Sequence, residues 1–148
     1  MTRFIFAFIL FCSVTIGFSQ GKDMSLAPCA PDPVLKGFIK HYGDAKATWK
    51  VTEGNYEATF KLIGMPATAW YDSTGYRMKY VVEIKEEQLP AIARSYIERN
   101  YPKAKVTKAL KWTDDKKVST FQAEIKLGAE TKSFMFTSRG DLIKELEK

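Results

Sequence analysis

Two stretches of this chain carry the same order of apolar positions, aromatics and turn residues, and that repetition constrains the fold more than any other feature. Val34, Leu35, Phe38 and Ile39 have the spacing of one helical face and return as Ile92, Ala93, Tyr96 and Ile97, an offset of 58 as from Val34 to Ile92. Tyr42-Gly-Asp-Ala45-Lys46 is matched by Tyr101-Pro-Lys-Ala104-Lys105 at 59 (Tyr42 to Tyr101). Ala58, Phe60, Tyr71 and Gly75 are matched by Ala123, Ile125, Phe136 and Gly140 at 65 (Ala58 to Ala123). The offset rises only across turn-like segments, as it does when a duplicated unit acquires longer loops.

Each unit opens with a helix and continues with strands. Asp32 as N-cap and Pro33 in the first helical position start the first helix, and Gly43 stops it. Runs of period two follow: Ala47 to Val51, Tyr56 to Leu62, Ala67 to Tyr71 and Tyr76 to Ile84. Glu53-Gly54-Asn55, Gly64-Met65-Pro66 and Asp72-Ser73-Thr74-Gly75 separate them with turn chemistry. From Glu86 the order repeats, Pro90 opening a helix and strands following near 104–112, 118–127, 131–137 and 141–147. The pattern predicts an α+β fold: two tandem α-β-β-β-β units, residues 32–85 and 86–148, forming an antiparallel sheet of up to eight strands with both helices packed on one face. The other face would lie open.

The residues ahead of these units read as an export signal. Arg3 precedes the apolar stretch 4–18, too short to span a bilayer comfortably, and small polar residues follow, which places cleavage after Ser19. Residues 20–31 form a flexible lead-in. Cys12 leaves with the signal and Cys29 stands alone, so no intramolecular disulfide is available to the mature chain. The expected location is periplasmic or secreted, without membrane insertion after cleavage. The net charge of +6 falls to +5 with loss of Arg3 and is dispersed along the chain. Nucleic-acid binding needs a concentrated basic stripe, so none is expected.

The tandem units, the helix-ending Tyr101-Pro-Lys-Ala104 with its partial copy Tyr42-Gly-Asp-Ala45, the Tyr56-x-Ala-x-Phe60 strand, and the hairpins from Tyr71 to Gly75 and Phe136 to Gly140 together resemble the PepSY-like family of exported bacterial proteins, related in fold to the beta-lactamase inhibitory protein. The resemblance covers roughly residues 33–147, and Gly43 departs from it where proline is usual. It implies a non-enzymatic exported binding protein. The inhibitory relatives grip a protein partner with the exposed sheet face, so an unidentified protein, such as an enzyme or peptidase, is the implied partner.

Residues that look catalytic lack their chemical partners. In Asp72-Ser-Thr-Gly75 the glycine lies three residues after the acid, and the matched Thr137-Ser-Arg-Gly140 has no carboxylate, so a proton-sharing acid pair cannot form. Arg139-Gly140-Asp141 is a by-product of the same turn glycine. His41 is the only histidine, which leaves general-base and metal roles without companions. Glu83, Glu86 and Glu87 suit the positive end of the second helix. No catalytic residue, metal site or cofactor is expected.

Alternation assigns Ala69, Tyr71, Tyr76, Met78 and Tyr80 to the core side and Trp70, Arg77, Lys79 and Val81 to the open side, with Met135 and Leu142 at the matching positions of the second hairpin. Trp70, Arg77, Lys79, Met135 and Leu142 are the candidate partner-binding residues, because tryptophan, methionine and arginine anchor interfaces. The alternative is a small-ligand-binding periplasmic protein with an aromatic-lined pocket around Tyr56, Phe60, Tyr80 and Phe121.

Overall fold

The computed structural model describes residues 30–146. The expected signal peptide and cleavage after Ser19, both cysteines and the expected lead-in up to residue 29 lie outside the described residues. Helix α1 (Asp32–Tyr42) leads into β1 (Thr48–Thr52), β2 (Asn55–Leu62), β3 (Met65–Tyr71) and β4 (Arg77–Ile84). A 3-10 turn (Glu86–Gln88) and α2 (Ala91–Asn100) precede β5 (Lys105–Asp114), β6 (Ser119–Leu127), β7 (Glu130–Phe136) and β8 (Leu142–Leu146).

The expected α+β class is corrected. Among the described residues eight strands form one continuous antiparallel sheet in chain order, β1 to β8, against two α-helices of 11 and 10 residues. This is a sheet-dominated fold. A repeat-by-repeat reading gives each helix the weight of the strands beside it. The structure instead places many more residues in the strands than in the helices, with β4 and β5 joining the halves from Lys79↔Asp114 to Ile84↔Ala109.

The helices cover one side of this sheet. On α1, Val34 and Phe38 lie one turn apart and are buried against Ala58, Phe60, Ala67, Ala69 and Tyr71. On α2, Ala93 and Ile97 bury against Ala109, Ala123, Ile125, Phe134 and Phe136. The pairs Ala67↔Val82 and Ile84↔Ala109 carry that side across the junction. Pro31, not Asp32, holds the cap position of α1, and Asp32 begins the helix without a side-chain cap bond. Ala30, the first described residue, is buried in the first cluster. No described helix is long and apolar enough to cross a membrane.

Each half closes its third hairpin strand with the same turn. Gly75 N–H donates to the Asp72 carbonyl at 3.1 Å and Gly140 N–H to the Thr137 carbonyl at 3.0 Å. Both glycines hold positive φ, 85° and 102°, a region that side-chain-bearing residues enter at a cost. Each also lies against its helix: a Cβ on Gly75 would sit 2.1 Å from the Pro33 carbonyl oxygen, and one on Gly140 2.7 Å from the Ala93 nitrogen. Just beyond each turn the register shifts by one residue, between Trp70 and Tyr71 and between Met135 and Phe136.

Candidate protein-binding face

The bare side of the sheet is built by alternation from the buried residues. Ala67, Ala69 and Tyr71 point to the helices, so Thr68 and Trp70 point away. On β4 the pairing Trp70↔Lys79 and Thr68↔Val81 places Lys79 and Val81 on the same bare side. Val81 pairs in turn with Trp112 on β5.

That register brings Trp70 and Trp112 together across β4. Their rings stack 5.6 Å apart at 18°, an arrangement worth about 0.5–1.5 kcal/mol beyond area burial. The Lys79 ammonium lies 4.9 Å from the Trp70 ring centre and 5.8 Å from that of Trp112, where the ring quadrupole attracts a cation. Trp70 Nε1–H donates to Glu57 Oε2 at 3.0 Å, and Trp112 Nε1–H donates to Gln122 Oε1 at 3.0 Å. The Gln122 amide N–H donates onward to Ser133 Oγ at 3.1 Å. A chain of contacts thus runs from Glu57 on β2 to Ser133 on β7 and fixes the orientation of both indoles. With both N–H groups satisfied, what remains for a partner is apolar ring surface flanked by one cation. Beside it Thr68, Val81, Glu83, Lys108 and Leu110 line a hollow of about 140 Å³.

Of the five residues singled out from the sequence, Trp70 and Lys79 meet here. Met135 shares the face at the next step, paired with Gln122 and Lys144. Arg77 and Leu142 do not. The register shifts pair Arg77 with Tyr71 and Leu142 with Phe136, so both lie on the helix side. Arg77 Nη1–H donates to the Tyr42 hydroxyl at 2.9 Å, and its guanidinium lies 4.5 Å from the Tyr80 ring centre. A strict two-residue period cannot register an extra residue at a bulge, which flips every side chain beyond it. Trp112 was missed: alternation from Ala109, which the structure buries, puts Leu110 and Trp112 on the bare side.

The residues suspected of chemistry are engaged structurally. Asp72 Oδ1 accepts from the Thr74 hydroxyl at 2.6 Å, the Thr74 N–H at 2.8 Å and the Tyr76 N–H at 3.1 Å. The Thr74 hydroxyl foremost, with these backbone donors, holds the Asp72 carboxyl below the ordinary carboxylate range. Thr137 Oγ1 does the same work without charge, accepting from Arg139 N–H and Asp141 N–H at 3.3 and 3.1 Å. Exposed His41 bonds the Gly37 carbonyl through Nδ1 at 2.7 Å; since a carbonyl only accepts, Nδ1 carries the proton. Among the described residues no three His, Cys, Asp or Glu side chains gather as a metal site would require.

Nor do the four aromatics of the ligand-pocket alternative enclose a common space. Tyr56, Phe60 and Tyr80 belong to the first core cluster and Phe121 to the second. Phe60 is filled in by Tyr42 at 4.4 Å and Phe38 at 5.1 Å.

No family profile and no curated protein sequence matches the chain. Solved structures do match in fold. A DUF2874 family protein from Bacteroides uniformis superposes with TM-score 0.72 at 20% identity, over 79% of this chain and 88% of its own. A candidate periplasmic protein from Bacteroides eggerthii gives 0.73 at 16%, over 79% and 88%. A BLIP-like protein from Bacteroides fragilis gives 0.68 at 17%, over 84% and 91%. The chain has a BLIP-like fold.

Proposed function

We propose that this chain is an exported, non-enzymatic binding protein of the PepSY-like kind that holds a protein partner on its bare sheet face. One observation carries the reading: the stacked Trp70–Trp112 pair, bridged by Lys79, lies on the side that neither described helix covers. Large aromatics held rigid on an uncovered surface lose little side-chain entropy on binding and dominate interface energetics. The apparent signal sequence and the fold shared with a candidate periplasmic protein support a periplasmic site of action. The fold shared with a BLIP-like protein makes inhibition of an enzyme or peptidase the mode to examine first.

The test places a photo-crosslinking residue at position 79, or at exposed Lys36 on the outer side of α1 as control, in cells that express the chain. A discrete adduct at 79, absent at 36 and lost when Trp70→Ala and Trp112→Ala are added, supports the reading. Equal adducts at both positions, or survival of the adduct without the indoles, overturns it.

A further inference from the structure

The displaced Arg77 leads to a second site, independent of the sheet face. Where the last turn of α1, the β3–β4 turn and the β5–β6 turn converge there is a groove of about 250 Å³, lined by Lys40, His41, Tyr76, Arg77, Asp115 and Lys117. Close backbone approach makes this convergence possible: a Cβ on Gly37 would stand 2.2 Å from the Gly75 carbonyl oxygen. The Tyr76 hydroxyl donates to Asp115 Oδ2 at 3.3 Å and ties the turn of the second half to the hairpin of the first.

The groove holds three basic side chains, Lys40, Arg77 and Lys117, against one carboxylate, Asp115. Among the described residues the ion pair formed is Lys132–Glu145, on the other half of the sheet, and none of the three groove cations has a carboxylate within salt-bridge distance. Arg77 commits one N–H to Tyr42 and stacks on Tyr80, which fixes the guanidinium plane and leaves further N–H donors. The fold alone does not produce this concentration of charge. At the repeat-matched positions of the second half, Glu98 stands for Lys40, Asp141 for Tyr76 and Leu142 for Arg77.

We propose that this groove binds a phosphate monoester in its dianionic form. Three cations less one carboxylate leave a charge that a dianion balances. Donors arriving from three separate elements suit a tetrahedral group with three terminal oxygens better than a flat carboxylate with two. The guanidinium fork matches two of those oxygens, and the ammonium groups act as point charges on the third. The volume exceeds that of phosphate itself, which leaves room for the first atoms of the esterified alcohol.

Glycerol 3-phosphate, titrated into the mature chain and followed by amide chemical shifts, should perturb Lys40, Gly75, Tyr76 and Lys117. The double variant Lys40→Glu, Lys117→Glu alters two exposed side chains and should weaken binding by about tenfold or more, the loss of two charge-assisted contacts, with the thermal midpoint unchanged. Arg77→Lys, which keeps the charge and loses the fork, should weaken it as well. Phosphatidylcholine vesicles with and without phosphatidic acid separate the two sources of the ester. If only phosphatidic acid vesicles bind, and the double variant does not bind them, the phosphate is that of a lipid headgroup. Shifts scattered over lysines elsewhere, or binding of either probe unaltered in the double variant, overturn the proposal. So does the absence of binding to both.

Discussion

The half built on α1 and the half built on α2 share backbone geometry and differ in what fills it. Around Phe38 the first half collects rings: Tyr42, Trp49, Phe60 and Tyr71 lie 5.1 to 6.3 Å from it. Arg77 enters the same cluster between Tyr42 and Tyr80. The second half has aliphatic Leu89, Ile97 and Ile125 beside Phe134 and Phe136, with Tyr96 and Tyr101 packed on those two rings. Trp49, opposite Ala58 on edge strand β1, corresponds in register to Ala109, opposite Ala123 on central strand β5. An edge strand has one neighbour, so a large side chain must cover what a second strand covers in the interior. The comparison teaches that the shared frame is set by turns, bulges and small residues. Core content is free to vary.

The most damaging way to break the comparison is through the turn glycines. Gly75→Ala should destabilise the protein by about 3 kcal/mol or more, combining left-handed strain with backbone overlap. Gly140→Ala should cost about 2 kcal/mol, because its nearest contacts are longer, 2.7 to 3.0 Å, and two of the three are side-chain atoms. Chemical denaturation of both variants checks the order; an equal or reversed order would mean that helix contact does not set the cost.

An exchange of one hydroxyl between the halves sharpens it. The Tyr71 hydroxyl is buried with no hydrogen-bond partner among the described residues, and burial, above all, pushes its ionisation well above the usual phenol range. The matched residue is Phe136. Tyr71→Phe should be neutral or stabilising by up to about 1 kcal/mol, whereas Phe136→Tyr should cost about 1–3 kcal/mol for an unpaired buried hydroxyl. Thermal midpoints of the two variants decide it.

The smallest effect separates the turns by acid. Because the folded Asp72 carboxyl lies below its ordinary value of 3.8, the unfolded state takes up the proton first. The stabilisation is therefore full above 3.8 and is lost as pH falls through the lower folded value. The Thr137 hydroxyl does not titrate, but it donates to the Asp141 carboxylate at 3.3 Å, so the second turn is compared in the Asp141→Asn variant. Amide exchange and shifts at Thr74 and Tyr76 should respond to acid below 3.8, and those at Arg139 in Asp141→Asn should not. A parallel response at both turns of that variant would remove the charge argument.

The period-two runs located the strands to within about two residues at most ends, because alternation of burial is a local property of extended chain. The two suspicious tetrapeptides were legible as hairpin turns from their matched glycines. Trp70, Lys79 and Met135 could be placed on the bare side because they precede or lie clear of the irregular positions. Arg77 and Leu142 could not, since a bulge is decided by how the turn packs on its helix and leaves no mark in the alternation. The α+β class failed for a different reason: element order does not weigh the elements, and two helices of 11 and 10 residues are minor beside one eight-stranded sheet.

The sequence by itself determined where the chain alternates, where it turns, and that its halves are alike, all set by neighbours a few residues apart. Tertiary structure alone decided that β4 pairs with β5. That pairing makes the sheet continuous, carries Trp112 to Trp70, and brings Asp115 and Lys117 over the first half's hairpin. Its register is set by hydrogen bonds and burial between segments some thirty residues apart, and no local pattern encodes it.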